Sequence, residues 1–229
     1  LKIRFGLVKT TLIDYPGKVA ASLFTHGCNL RCPFCHNPEL VDPNSPVPDH
    51  FVPAEEAAAF LEKRKSVLEG VCISGGEPLL HSGMSEFVGD IQRRGYSVKI
   101  DTNGLLPEQL AECAPDFIAM DVKTAPSRYE RLGFTGADAP YRLSESIKYI
   151  TSSKIPRQFR TTLVPGIVTA EDLAEIANII PPGSEYILNK FRPGITLDPG
   201  FSEKLPYTDE ETREMVSFFR KKGIDCRMS

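Results

Sequence analysis

An α/β fold built on parallel strands is what this sequence predicts, and three observations predict it. Short apolar runs of strand length alternate six times with amphipathic stretches of helix length. Each strand run closes on a glycine-bearing or polar cluster, where an α/β fold places its functional groups. The 229 residues, 41% hydrophobic and 25% charged, suffice for a large core without staples. Right-handed crossovers would join the parallel strands. The pattern itself leaves an open doubly wound sheet and an incomplete barrel equally available.

The elements follow in order. Residues 1–18 form a lead-in whose Pro16-Gly17 is a turn signal, expected as an edge hairpin or as a lid over a barrel mouth. The first strand spans residues 19–24 and delivers a cysteine-rich loop, and residues 42–48 are a proline-rich connection. A helix over 53–68 has Pro53 in its first turn, with Glu55 and Glu56 complementing the helix dipole. Strands at 70–74, 96–100, 117–121, 158–164 and 186–190 then alternate with helices at 82–94, 107–113, 141–152, 170–180 and 209–222. Thr169 and Thr208 are the expected N-caps of the last two helices, and Gly223 the stop. No charge run or low-complexity tract marks a boundary, so residues 1–229 are expected as a single domain, a lead-in (1–18) and a strand–helix body (19–229).

Composition excludes several classes. A net charge of −3 gives no sign of nucleic-acid or membrane binding. Apolar runs fall short of the roughly 20 residues of a membrane span. Residues 1–6 lack the apolar core of a signal peptide, and the reading is a soluble cytoplasmic protein.

Three of the six cysteines sit in Cys28-Asn29-Leu30-Arg31-Cys32-Pro33-Phe34-Cys35. Thiolates at C-x3-C-x2-C spacing can converge on one metal centre. A structural zinc site takes four ligands, which His36 would have to complete. A ferredoxin-type cubane takes four cysteines, so a [4Fe-4S] cluster held by three leaves one iron open. A disulfide role fits neither the close spacing nor the composition. Cys72, Cys113 and Cys226 are isolated in sequence and read as small buried hydrophobes.

This loop, with Phe34 before its third cysteine, resembles the signature of the radical S-adenosylmethionine (SAM) superfamily. The resemblance implies a partial (β/α)6 TIM-like barrel, a [4Fe-4S] cluster on Cys28, Cys32 and Cys35, and SAM on the open iron. It implies that one electron cleaves SAM to methionine and a 5′-deoxyadenosyl radical. Phe34, Cys35 and His36 would border the adenine. Gly75-Gly76-Glu77-Pro78, closing the second strand, resembles the family motif that contacts the amino group and methionyl part of SAM; two glycines allow close backbone approach.

Asp101-Thr102-Asn103 and Met120-Asp121-Val122-Lys123 close the next two strands. Carboxylates at neighbouring strand ends repel unless a cation lies between them. The pair resembles the glycyl-radical-enzyme activases, where it implies a monovalent cation (sodium or potassium) on Asp101, Thr102, Met120 and Asp121 beside SAM. Lys123 matches a lysine of that SAM site. Arg160, on the fifth strand, matches an arginine lining it. Arg192 falls near a position where the activases carry a histidine, a departure that leaves ligand contact and solvation equally open, and Asn189 is equally open.

The resemblance, strongest to activators of anaerobic ribonucleoside-triphosphate reductase, implies abstraction of an α-hydrogen from a glycine of a glycyl radical enzyme. A flavodoxin- or ferredoxin-type donor would supply the electron. The rival readings are a radical SAM enzyme acting on a small molecule, in cofactor or modified-base biosynthesis, and an iron–sulfur electron carrier, which would need neither Gly-Gly-Glu-Pro nor the aspartates.

Overall fold

The computed structural model describes residues 2–229, in two compact units. The first comprises the chain up to Asn29 with Glu39–Thr102 and Glu108–Ile118; the second comprises Leu30–Pro38, Asn103–Pro107 and Ala119–Ser229.

In the first unit, strands β1 (Arg4–Thr11), β2 (Ala20–Thr25), β3 (Val52–Pro53), β4 (Gly70–Gly75) and β5 (Ser97–Thr102) lie in the order β3-β1-β2-β4-β5. β2, β4 and β5 are parallel, with Ala20 opposite Gly70 and Gly70 opposite Ser97. The first four residues of β2 are all buried, as in a parallel strand covered on both faces. Helix α1 (Ala54–Lys63) stops short of the predicted residue 68, because the Arg64 N–H turns back to Leu61 O. Pro53 is its extended N-cap, one position before the expected first turn. Helix α2 (Met84–Arg93) buries Met84, Phe87, Val88 and Ile91, a stripe at helical spacing, and Phe87 meets Phe5 with ring centroids 4.8 Å apart.

The lead-in is the hairpin of the two alternatives. β1 runs antiparallel to β2, and β3 pairs with its outer side. After β1, the chain buries Tyr15 against Gly70 and Phe117, with Ser97 as its hydroxyl's hydrogen-bond partner. Gly70 and Ser97 open β4 and β5. The lead-in therefore closes the N-terminal ends of these strands, opposite to where the motif residues stand.

Strand β6 (Phe117–Asp121) passes into the second unit at Ala119. There it is followed by β7 (Arg157–Leu163), β8 (Glu185–Lys190) and β9 (Asp225–Met228), in the order β6-β7-β8-β9. β7, β8 and β9 are parallel, with Phe159 opposite Tyr186 and Glu185 opposite Asp225. Helices α3 (Pro107–Cys113), α4 (Ala139–Ser152), α5 (Ala170–Ile179) and α6 (Asp209–Lys221) complete six strand–helix units in single file along the chain. Tyr186 and Phe219 centre an apolar core, their rings 4.6 Å apart. Among the described residues no helix is long and apolar enough to cross a membrane.

Candidate functional site

The cysteine loop leaves β2 at Thr25. Gly27 has φ +95°, a backbone state that favours glycine, and its N–H donates to Leu40 O at 2.8 Å. The Cys28 N–H donates to Val41 O at 3.0 Å, so residues 40–41 fix the start of the loop. The Gly-Gly-Glu-Pro turn fixes it from another side: the Gly76 N–H donates to Thr25 O (2.9 Å) and the Glu77 N–H to Gly27 O (2.8 Å). A Cβ on Gly76 would sit 2.0 Å from Gly27 O, and one on Gly75 2.3 Å from Thr25 N. Both glycines are thus demanded by backbone packing against the cysteine loop. The Cys28 Sγ faces Asn29 Oδ1 at 3.9 Å.

In the second unit the loop continues through buried Cys32 and Phe34, with a turn from the Cys35 N–H to Cys32 O. The segment after β8 straps it. Leu197 N–H donates to Cys35 O (3.0 Å), and Asp198 N–H to Pro33 O (2.8 Å). The His36 Nε2 lies 2.8 Å from Arg192 O, and the ring stacks on Phe191. Arg192 is exposed and engages His36 through its main chain. Among the described residues, no three His, Cys, Asp or Glu side chains are grouped closely enough to hold a single metal ion.

The ends of β4 and β5 are joined by Glu77, whose carboxylate is 1% exposed. It accepts from Thr102 Oγ1 at 2.9 Å and from the Leu79 N–H at 3.2 Å, capping the turn that Pro78 begins. Asp101 receives the Nζ of Lys99, which also donates to Cys72 Sγ at 3.5 Å. Lys99 escaped the sequence reading, although a lysine between Val98 and Ile100, both fully buried, was a legible signal. Cys72 is buried as expected, and it also has this polar neighbour.

At the end of β6, Asp121 holds both Arg160 and Lys123. Arg160 donates Nε to Oδ1 (2.9 Å) and Nη2 to Oδ2 (3.0 Å), and Lys123 Nζ donates to Oδ2 (3.0 Å). Burial alone would raise the Asp121 pKa, but Arg160 and Lys123 hold it well below the usual carboxylate range. Burial would lower the Lys123 pKa; Asp121 and the nearby Cys32 raise it instead, keeping the ammonium charged. The Lys123 N–H donates to the Tyr129 hydroxyl (3.1 Å), and Tyr186 donates to Thr161, which donates to Val122 O. Neither tyrosine carried a sequence signal. Asn103 Oδ1 accepts from the Leu105 N–H, and Gly104, at φ +78°, packs on the Met120 side chain. Asn189 pairs in register with Thr162.

The family model described as "Radical SAM superfamily" matches residues 22–180. The chain belongs to the radical SAM superfamily. A candidate glycyl-radical enzyme activating enzyme of Methanocaldococcus jannaschii is 31% identical over 228 residues, covering 96% of this chain and 92% of that protein. A pyruvate formate-lyase-activating enzyme of Staphylococcus epidermidis is 31% identical over 183 residues, 73% of this chain and 71% of that one. The crystal structure of QueE from Escherichia coli aligns with TM-score 0.54 at 15% identity, over 100% of this chain and 92% of that one. Fold class stands as expected, the α/β fold of parallel strands that radical SAM enzymes share, and the protein is an enzyme of that superfamily.

The residues present fit a radical SAM cluster. The donor set is the three cysteine thiols of one loop, none of them in a disulfide.

Proposed function

We propose that this protein activates a glycyl radical enzyme, and that its partner is the anaerobic ribonucleoside-triphosphate reductase. The observation that carries this reading is the extent of the likeness to the candidate activating enzyme. It covers 96% of this chain and 92% of that protein, while the choice of partner rests on the family resemblance of the lead-in and cysteine loop. The family match spans both compact units, which supports reading residues 1–229 as one catalytic domain.

In this reading Cys28, Cys32 and Cys35 hold a [4Fe-4S] cluster and leave one iron to SAM. Bound together, cluster and SAM supply one-electron cleavage of SAM and transfer of a hydrogen atom to the 5′-deoxyadenosyl fragment. The chain's own residues bind and orient. Gly75 and Gly76 let the turn backbone approach the methionyl part, while Glu77, fixed by Thr102, and Pro78 hold that turn rigid. Lys123, kept charged by Asp121, attracts the SAM carboxylate, and the bidentate Arg160 clamp keeps Asp121 in place. Phe34, His36, Asn103 and Val122 border the adenosyl part, with Arg192 at the rim. A flavodoxin- or ferredoxin-type donor in a reducing cytoplasm supplies the electron.

The test is an anaerobic EPR measurement. The reduced, cluster-loaded protein is mixed with SAM and the same organism's anaerobic ribonucleotide reductase. A glycyl radical doublet on the reductase is expected. 5′-Deoxyadenosine without a doublet would remove this partner and favour another glycyl radical protein or a small-molecule substrate. No SAM cleavage at all would sink the reading.

A further inference from the structure

The carboxylate that the family resemblance assigns to a mobile monovalent cation already has a fixed one. Lys99 is 1% exposed, and its neighbours Val98 and Ile100 are fully buried. Alternation along β5 puts Lys99 and Asp101 on one face of the strand. The ammonium reaches along that face to Asp101 Oδ1 and across to Cys72 Sγ on the adjacent strand. Burying an ammonium is costly unless a partner of opposite charge is fixed beside it, and Asp101, 16% exposed, is that partner. Thr102, a second side chain expected at the cation, turns its hydroxyl to Glu77. In the second unit, Asp121 is neutralised separately by Arg160 and Lys123. A fixed ammonium and a free cation carry the same charge, so Lys99 already supplies what a sodium or potassium ion would bring to Asp101 and repels a second cation approaching it.

We propose that Lys99 serves as a built-in counter-ion for Asp101 and replaces a bound sodium or potassium ion, so that this protein binds SAM without a monovalent cation. Lys99 is a positioning residue: it acts on SAM through Asp101 and the end of β5. The proposal rests on the reading of this site as the SAM site.

Two measurements on the cluster-loaded protein test it. The first is SAM affinity by calorimetry in potassium chloride, sodium chloride and tetramethylammonium chloride at equal ionic strength. The second is sodium-23 NMR relaxation without SAM, which detects a saturable sodium site directly. Wild-type protein should bind SAM equally in all three salts and show no sodium site displaced by potassium. Lys99→Met, which keeps the bulk and removes the charge, should acquire such a site. Its SAM affinity should fall about tenfold when tetramethylammonium replaces potassium.

A sodium site in the wild type, or an equivalent loss of wild-type affinity in tetramethylammonium, overturns the proposal. These arms need no variant, so they decide even where Lys99→Met fails to fold. A folded Lys99→Met protein that gains no sodium site and ignores the salt removes Lys99 from the role. Absence of SAM binding in every salt would instead sink the site reading, leaving the NMR arm to judge Asp101 and Lys99.

Discussion

Asp172 shows how much a single buried carboxylate is asked to do. It is 0% exposed, accepts from the Thr169 N–H and hydroxyl at 2.8 Å each, and faces Arg128 at 3.0 Å. Burial alone would raise its pKa; the Thr169 hydrogen bonds and the Arg128 and Arg131 charges bring it below the usual value. Because the folded pKa lies below the unfolded one of about 3.9, the stabilisation is fully present above that pH. It is lost as pH falls through the folded value. Asp172→Asn should cost about 2 kcal/mol at neutral pH, and urea unfolding near pH 3 should show the gap to wild type closing. An unchanged gap at both pH values would refute the charge account. Gly76 presents a steric problem instead. In Gly76→Ala the new methyl would lie 2.0 Å from the Gly27 carbonyl oxygen, which is backbone and has little room to yield. The cysteine loop must shift, and iron and sulfide content after anaerobic loading should fall well below wild type. Full iron content would show that the loop tolerates the shift.

Elements were legible where a local signal fixed both ends. Thr169 and Thr208 are the N-caps expected of them, and each goes further to complete a capping box, with Asp172 and Glu211 as reciprocal partners. Thr208→Ala should therefore destabilise the protein by about 1 kcal/mol in urea unfolding, and Thr208→Asn should restore most of that. Residues 107–113 and 117–121 form the elements expected of them. The misses share a cause. β3 and β9 are two and four residues long, too short for a period to register, and they exist because β1 and β8 offer unpaired edges. β1 has only half of its residues exposed, in no strict alternation, and its pairing to β2 is a non-local choice. The candidate site was legible as motifs and hidden as contacts. The Gly-Gly-Glu-Pro turn, Asp121 and Lys123 were legible through the family resemblance. That Glu77 takes the Thr102 hydroxyl, or Asp101 the Lys99 ammonium, depends on which face of β5 each residue occupies.

Across the whole chain, the six cysteines divide by environment, and that division predicts where iron goes. Cys72, Cys113 and Cys226 are buried at 1%, 4% and 0% exposure, each on or at the end of a packed element. Burial pushes the Cys113 and Cys226 thiols up to about 12, so they stay protonated at neutral pH and are poor ligands for iron, which binds the thiolate. Cys28 and Cys35 are partly accessible, and Cys32, though buried, lies near the Lys123 ammonium. Six single alanine replacements should therefore fall into two classes after anaerobic loading. Cys28→Ala, Cys32→Ala and Cys35→Ala should each lose the cubane's absorption and the ability to cleave SAM. Cys72→Ala, Cys113→Ala and Cys226→Ala should keep wild-type iron content, at a modest cost in stability from the cavity each leaves. Iron lost from any of the second three, with the fold intact by circular dichroism, would move that cysteine from the core to the cluster. A cubane surviving loss of one of the first three would end the three-thiolate assignment, and with it the open iron that the proposed chemistry requires.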